Sequence, residues 1–489
     1  MLSATPLPTI IALARAGALD HAWGQFSAAG YDRRDEDPAA LTVKGRLLKD
    51  HALRASDEGE RRRFYLQSAE CYRRAAALQP GTYPLINAAT LSLLSGDRGQ
   101  AQEIAREVLE RIAREPDEPE TPYWRAATEA EALLLLGRTD EARVALEVAL
   151  AAAPRAWEDH ASTLRQFVAI HAALGTDAGW VDMLRPPRSL HFAADEPDGA
   201  DPDSAPAPAL DADIGFGFGS LAAGPELLTA EALLERGAEL HVILPSDAES
   251  FAARFVDPHG PAWRERFDAA LAAAESVRCV RPLHRPPERA TIALARRIAH
   301  GAALLNAERL MGRAVQSHAG DDGGDGGDGG LALLAIRVGG GGEAGFEEHL
   351  GAVREALGEA GSAALPPHLS GETILAGYGD CAPAAAAART VHARLRGRSP
   401  LQIAGHYGLI DCVRDPFSGA VRPTGSGAEI VEALAAAAPP DSICVSDDFA
   451  AVLATGPGGP GEACWIGELS AFDGGAAIGL YALRSAPAS

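Results

Sequence analysis

Three copies of one short phrase restrict the first third of the chain to stacked pairs of antiparallel helices. They read Ala16-Gly17-Ala18-Leu19-Asp20-His21-Ala22, Ser95-Gly96-Asp97-Arg98-Gly99-Gln100-Ala101 and Leu136-Gly137-Arg138-Thr139-Asp140-Glu141-Ala142. In each copy a Gly closes one helix in the left-handed conformation, and an Asp or Gly two or three residues later opens the next. The Ala that follows is small enough for paired helices to approach. Apolar helices flank the phrase, and the second runs toward a Pro, as in Ala75-Ala76-Ala77-Leu78-Gln79-Pro80 and Ala151-Ala152-Ala153-Pro154. Such a unit cannot bury its apolar stripe alone and must stack on neighbours.

In these features residues 1–183 resemble tetratricopeptide repeats. Two copies lie 41 residues apart (142 minus 101) and the first two 79 (101 minus 22), about two units of 39 or 40. That exceeds the usual period of about 34, so the helices should be longer or less regular than the consensus. The region also resembles the irregular TRAF-binding region of stress-activated MAP kinase kinase kinases. A plain α-helical bundle is the simpler alternative. Either way this part is a scaffold, and the resemblance implies a protein partner bound through the repeats.

At 489 residues the chain exceeds one hydrophobic core, which suggests about three domains. The formal net charge of -23 gives a field that repels phosphate backbones and anionic lipid, against a nucleic-acid or membrane-surface role. The six cysteines show no CxxC pair or zinc spacing and read as reduced, mostly buried thiols. The N-terminal residues lack a signal-peptide pattern, and no stretch has 18 consecutive apolar residues. The expected location is cytoplasmic.

A second domain is expected over 184–318. Residues 188–193 form a strand, and 195–213, with seven acids, no bases and four prolines, read as a solvated, disordered insertion. Residues 214–245, IGFGFGSLAAGPELLTAEALLERGAELHVILP, place a glycine-rich turn after an apolar strand and lead into an amphipathic helix ended by Gly237. Leu240 to Pro245 then form a buried parallel strand. In such a βαβ unit the helix N-terminus can hold a phosphate at the carboxyl end of a strand. The segment resembles the Rossmann-like SLOG superfamily, which includes lysine-decarboxylase-like phosphoribohydrolases. The residues matching its pattern are Gly217, Gly219, Ser220, Gly224, Glu226 in place of the usual Asp, and Glu231. The resemblance implies a nucleotide or nucleotide-derived ligand there. Against it, any tight βα crossover favours glycine, and Glu231 can simply face solvent.

GDDGGDGGDGG, within 319–330, reads as a flexible linker, since a calcium-binding β-roll needs many copies and an apolar residue per turn. From Leu331 strands and helices alternate: LALLAIRV, a helix over 345–359, ETILAGY, a helix over 382–396, a strand Leu401 to Gly408, a helix over 427–437 and a strand Ser442 to Ser446. The passages LQIAGHYGLIDCVRDPFSGAVRPTGSGAEI and APPDSICVSDDFAAVL make 331–489 resemble the class III adenylate and guanylate cyclase domain, which implies a ferredoxin-like α/β fold and a possible homodimer. Cyclisation needs two metal ions plus an Arg and an Asn. The family's first-strand aspartate falls at Ile336 or Arg337, its hairpin aspartate at Glu372, its Asn at Glu429 and its Arg at Ala433. Glu372 is the one candidate metal ligand, and a poor one for Mg²⁺. A homodimer would repeat the same gaps, so no catalytic residue is assigned and Mg²⁺ is implied only if the domain is active.

The sequence thus reads as an α plus α/β multidomain chain: helical repeats, a Rossmann-like domain and a degenerate cyclase-like domain, serving as a signalling or scaffold protein. The rival is an enzyme, either a divergent cyclase or a nucleotide-processing activity in the central domain. A third reading leaves only the repeats active. His284, His406 and Trp263 have no partner at a catalytic spacing and read as core or surface residues.

Overall fold

The computed structural model describes residues 5–114, 121–194, 209–280, 287–317, 329–339, 342–361, 363–397, 400–416, 419–469 and 477–484. His284, most of the acidic stretch 195–213 and most of the linker 319–330 lie outside them. The chain divides between Pro186 and Pro187 into two compact units.

The first unit is helical. Its helices are α1 (Leu7–Arg15), α2 (Leu19–Ala28), α3 (Pro38–Arg54), α4 (Glu58–Leu78), α5 (Thr82–Ser95), α6 (Arg98–Arg114), α7 (Pro122–Leu135), α8 (Thr139–Ala152) and α9 (Trp157–Leu174). The phrase glycines stand between α1 and α2, α5 and α6, and α7 and α8, with φ of 87°, 101° and 78° for Gly17, Gly96 and Gly137. The missing copy is the turn between α3 and α4. Ala55 is extended there, and the Asp57 carboxylate accepts from the Glu60 N–H, so the turn is made without a glycine.

Alternate helices meet through a polar floor. Glu131 on α7 accepts hydrogen bonds from Thr90 Oγ1 on α5 and from Gln166 Nε2 on α9 (3.1 Å), and Lys49 Nζ on α3 reaches Gln166 Oε1 at 3.4 Å. Burial lowers the Lys49 pKa and raises that of Glu131, so each loses solvation and depends on the network for compensation.

In the second unit a parallel sheet contains β1 (Arg188–His191), β2 (Ile214–Gly219), β3 (Glu239–Leu244), β4 (Ser276–Cys279) and β5 (Ala314–Gln316), in the order β4-β3-β2-β1-β5. Four helices accompany it: α10 (Pro225–Glu235), α11 (Ala248–Phe255), α12 (Pro261–Ala273) and α13 (Arg289–Leu310). Leu227, Leu233, Leu240, Val242 and Phe267 fill its core, with Trp263 buried among them.

The other sheet has the order β13-β14-β12-β9-β6-β8-β7. Its members are β6 (Leu331–Val338), β7 (Leu365–Ser370), β8 (Thr373–Tyr378), β9 (Leu401–Gly408), β12 (Ser442–Ser446), β13 (Ala463–Leu469) and β14 (Ile478–Leu483). β10 (Asp411–Arg414) and β11 (Val421–Thr424) form a separate hairpin. The helices are α14 (Gly342–Glu359), α15 (Cys381–Leu395), α16 (Ser426–Ala437) and α17 (Asp447–Ala454). β6-α14-β7-β8-α15-β9 is a βαββαβ unit, with β6 antiparallel to both β8 and β9.

Expected as separate domains, the two sheets share one unit. The joint is α13 on α17: a Cβ at Gly301 would lie 1.8 Å from the Ala451 carbonyl oxygen. Arg297 Nη2 donates to both carboxylate oxygens of Asp380, at 2.9 and 3.0 Å, and the Arg309 guanidinium lies over the Trp465 ring. Arg278 of β4 pairs with Asp447 (3.0 Å) and Asp448 at the start of α17. All six cysteines are unpaired; Cys71, Cys381 and Cys444 are buried, whereas Cys279, Cys412 and Cys464 are exposed, against the expectation of mostly buried thiols. No described helix is long and apolar enough to cross a membrane.

Because a backbone carbonyl cannot step aside as a side chain can, Gly301→Ala should destabilise the protein by about 1–3 kcal/mol. Gly351→Ala on α14 meets open space and should be neutral or stabilising by about 0.5–1 kcal/mol. The midpoints of urea unfolding compare the two.

Candidate functional site

The carboxyl ends of β1, β2 and β3 open into a small cleft. Its position follows from topology. The chain runs outward from β1 through β4, then returns along α13 to β5 on the other side of β1, and ligand crevices in parallel sheets form at such reversals. His191, Phe192 and Ala193 line it from the end of β1, Gly219 and Ser220 from β2, and Phe251 and Phe255 from α11. One face of α13 closes it with Ile292, Ala295, Arg296 and Ala299, which recur every three or four residues as a helix face requires.

Of the six candidate residues, Gly219, Ser220 and Glu226 line this cleft. Gly224 caps α10 with φ 103° and ψ -134°, a conformation strained for any side chain. Gly217 lies inside β2, where an added Cβ would come within 2.4 Å of Leu233 Cδ1, so it serves helix packing. Glu231 lies apart from the lining and forms a two-pronged ion pair with Arg266 of α12.

Glu226 does what a bound anion would do. Its side chain is buried at the first turn of α10, only 4% exposed. The carboxylate accepts from the Ala194 N–H (3.1 Å), the Ala222 N–H (3.0 Å) and the Ser220 hydroxyl. The seat where the sequence placed a phosphate is therefore filled by the protein's own negative charge. The longer Glu, where the resembled pattern has Asp, was the signal for this.

Sequence reasoning missed Arg296. Its guanidinium lines the cleft, donates to the Ala194 carbonyl, and makes no ion pair among the described residues. The next residue, Arg297, faces the other sheet through Asp380. The sequential Arg296-Arg297 pair was the available signal, since successive helix residues point about 100° apart.

In the larger sheet, Ile336 is fully buried and Arg337 lies 3.9 Å from Glu372, whose side chain is 86% exposed. A cation thus stands beside the one candidate metal ligand. Among the described residues no group of three His, Cys, Asp or Glu could hold a metal, so this donor set does not fit Mg²⁺. Glu429 begins α16 as its first-turn acid and is exposed.

Burial works against the Arg278 charge, but Asp447 and Asp448 more than offset it and hold its pKa above the ordinary value. Burial raises the Asp447 pKa, opposed by Arg278. Nearby on β9, His406 lies 2.9 Å from Ser446 Oγ, and burial pulls its pKa down to about 4. His406 is thus a buried neutral residue, in keeping with the sequence reading.

A family model described as Tetratricopeptide Repeats-Sensor matches residues 9–92, from α1 into α5. No curated protein matches the chain. Among solved structures, the chain is similar to an adenylate cyclase from Trypanosoma brucei in its monomeric state (9% identity, 34% of this chain and 93% of that chain, TM-score 0.29). It is also similar to an adenylyl cyclase from P. aeruginosa (11% identity, 32% of this chain and 95% of that one, TM-score 0.27). A third is an adenylate/guanylate cyclase/hydrolase from Silicibacter pomeroyi (18%, 32% and 98%, TM-score 0.25).

His406 is neutral in the folded state down to about pH 4, while an unfolded histidine titrates near 6.5. Between those values the unfolded chain binds the extra proton, so stability falls as pH drops through that window, by at most about 1.4 kcal/mol per unit from this group. Urea midpoints at pH 7 and pH 5 should show the loss, and His406→Asn should shrink it. An undiminished loss in the variant would assign the effect elsewhere.

Proposed function

We propose that this chain is a cytoplasmic signalling or scaffold protein in which the helical unit binds a protein partner and the cleft of the parallel sheet senses a nucleotide or nucleotide-derived molecule. The larger sheet, read as a ferredoxin-like cyclase-type domain without its chemistry, delivers the response. The observation that carries this reading is the double role of α13. Ile292, Ala295, Arg296 and Ala299 line the cleft, while Arg297 and Gly301 on the same helix meet Asp380 and Ala451 of the larger sheet. A ligand that favours one position of α13 is felt across the joint, because a closely packed helix cannot shift at one face alone.

The inactive reading of the larger sheet rests on charge and geometry. Two-metal chemistry needs carboxylates facing a common point; here the corresponding positions hold a core isoleucine, an arginine and an exposed glutamate. The rival enzyme reading predicts turnover. Purified protein incubated with ATP or GTP and Mn²⁺ should give no cyclic nucleotide above a heat-killed control. Formation that disappears in Glu372→Ala would overturn the inactive assignment.

A further inference from the structure

In a stack of helical repeats each unit touches only its neighbours, and α9 breaks that rule. Glycine turns pair α5 with α6 and α7 with α8, and the glycine-free turn pairs α3 with α4. A helix that merely continued the stack would rest on the last pair. α9 instead packs on both α7 and α5, and its Gln166 meets Lys49 of α3, 117 positions earlier. It therefore lies across the first helices of three successive pairs, on the face those helices share. Its buried residues include His160, Leu164, Phe167 and His171, at i, i+4, i+7 and i+11, the anchor spacing of an amphipathic helix laid in a groove. Ser162, Arg165 and Ala172 turn to solvent. The Gln166 amide spans the floor: its nitrogen donates to Glu131 at 3.1 Å and its oxygen lies 3.4 Å from Lys49 Nζ. Beside it Tyr123 of α7 stacks on His160, and its hydroxyl lies 2.9 Å from Thr163 Oγ1.

Resting on the reading that the helical unit binds a protein partner, we propose that α9 is an internal occupant of the partner's groove, and that the partner is an amphipathic helix of α9's own pattern, which docks when α9 lifts away. The occupant defines the chemistry of its competitor. Apolar anchors replace Leu164, Phe167 and Ile170, all fully buried. A neutral amide replaces Gln166, because an amide serves Glu131 as donor and Lys49 as acceptor at once. Two features make α9 the removable element. Its first turn has no side-chain cap, since Ala156 stands at the N-cap. Beneath it Lys49 and Glu131 have given up solvation, which they regain when the helix leaves. The tether opposes departure, holding α9 beside the groove at an effective concentration on the order of millimolar. A free helix of equal intrinsic affinity is thereby kept out, and only a better-matched one enters.

Hydrogen exchange of the unaltered full chain tests whether α9 lifts. Its amides should exchange through openings at least tenfold more populated than those of α5 and α7; exchange of all three helices together would make α9 a fixed part of the stack and overturn the proposal. A fluorescent peptide of residues 156–175 is then titrated into the full chain and into its Phe167→Asp variant, whose buried charge unseats α9. The variant should bind the peptide at least tenfold more tightly than the unaltered chain, and a peptide carrying the same substitution should not bind. Gln166→Glu, which sets a carboxylate against Glu131, should act in the same direction with less disturbance of the core, and the exchange result decides whether or not either variant folds. Equal peptide binding by a folded variant and the unaltered chain, or none by either, also overturns the proposal, while the partner-binding reading stands because the other faces of the helices remain. That reading falls by a different result: neither form retaining any protein from a lysate of its native cells.

Discussion

The joint between the two sheets depends on how closely α13 can approach α17. A single position without a side chain, Gly301, lets the helix lie against the Ala451 carbonyl, and the flanking contacts follow from that closeness. Arg297 can then pair with Asp380 at the head of α15, and Arg309 can cover Trp465 on β13. Along another edge Arg278 reaches two aspartates at the head of α17. Partly buried ion pairs such as Arg278 with Asp447 contribute little net stability, but a displaced partner leaves a poorly hydrated charge behind, so they penalise misplacement. The joint is therefore better at fixing the relative position of the two sheets than at adding stability.

Legibility in the sequence followed how local each device is. A left-handed glycine followed by an acidic helix start declares itself within seven residues, so the turns at Gly17, Gly96 and Gly137 could be read directly. The α3–α4 turn uses an extended Ala55 and an Asp57 cap instead, and only the doubled spacing betrayed it. Several strands and helices of the larger sheet were legible within a few residues because apolar runs alternate with alanine-rich amphipathic stretches, whereas β7, whose LPPHLS carries two prolines and no apolar run, was not read as a strand. That the two sheets merge into one unit was not legible, since the joint joins positions such as 278 and 448 that are 170 apart in the chain.

The cleft was half legible. A glycine-rich turn between a strand and a helix marks where a crevice opens, and Gly219, Ser220 and Glu226 do line it. Sequence spacing cannot distinguish a glycine needed for packing, such as Gly217 under Leu233, from one beside a ligand. Nor can it show that Glu231 turns toward Arg266, or that a helix over 60 residues downstream supplies the cleft's cation. Those are tertiary facts.

The carboxylate of Glu226 gives the backbone N–H groups at the head of α10 a negative partner that belongs to the chain itself. Many anion-binding loops are restless until their guest arrives, since their amide groups have nothing to hold; this one is built around a resident counter-charge. The loop ahead of α10 is thereby tied down from within the chain, at Ala194, Ser220 and Ala222, and owes its order to no outside group.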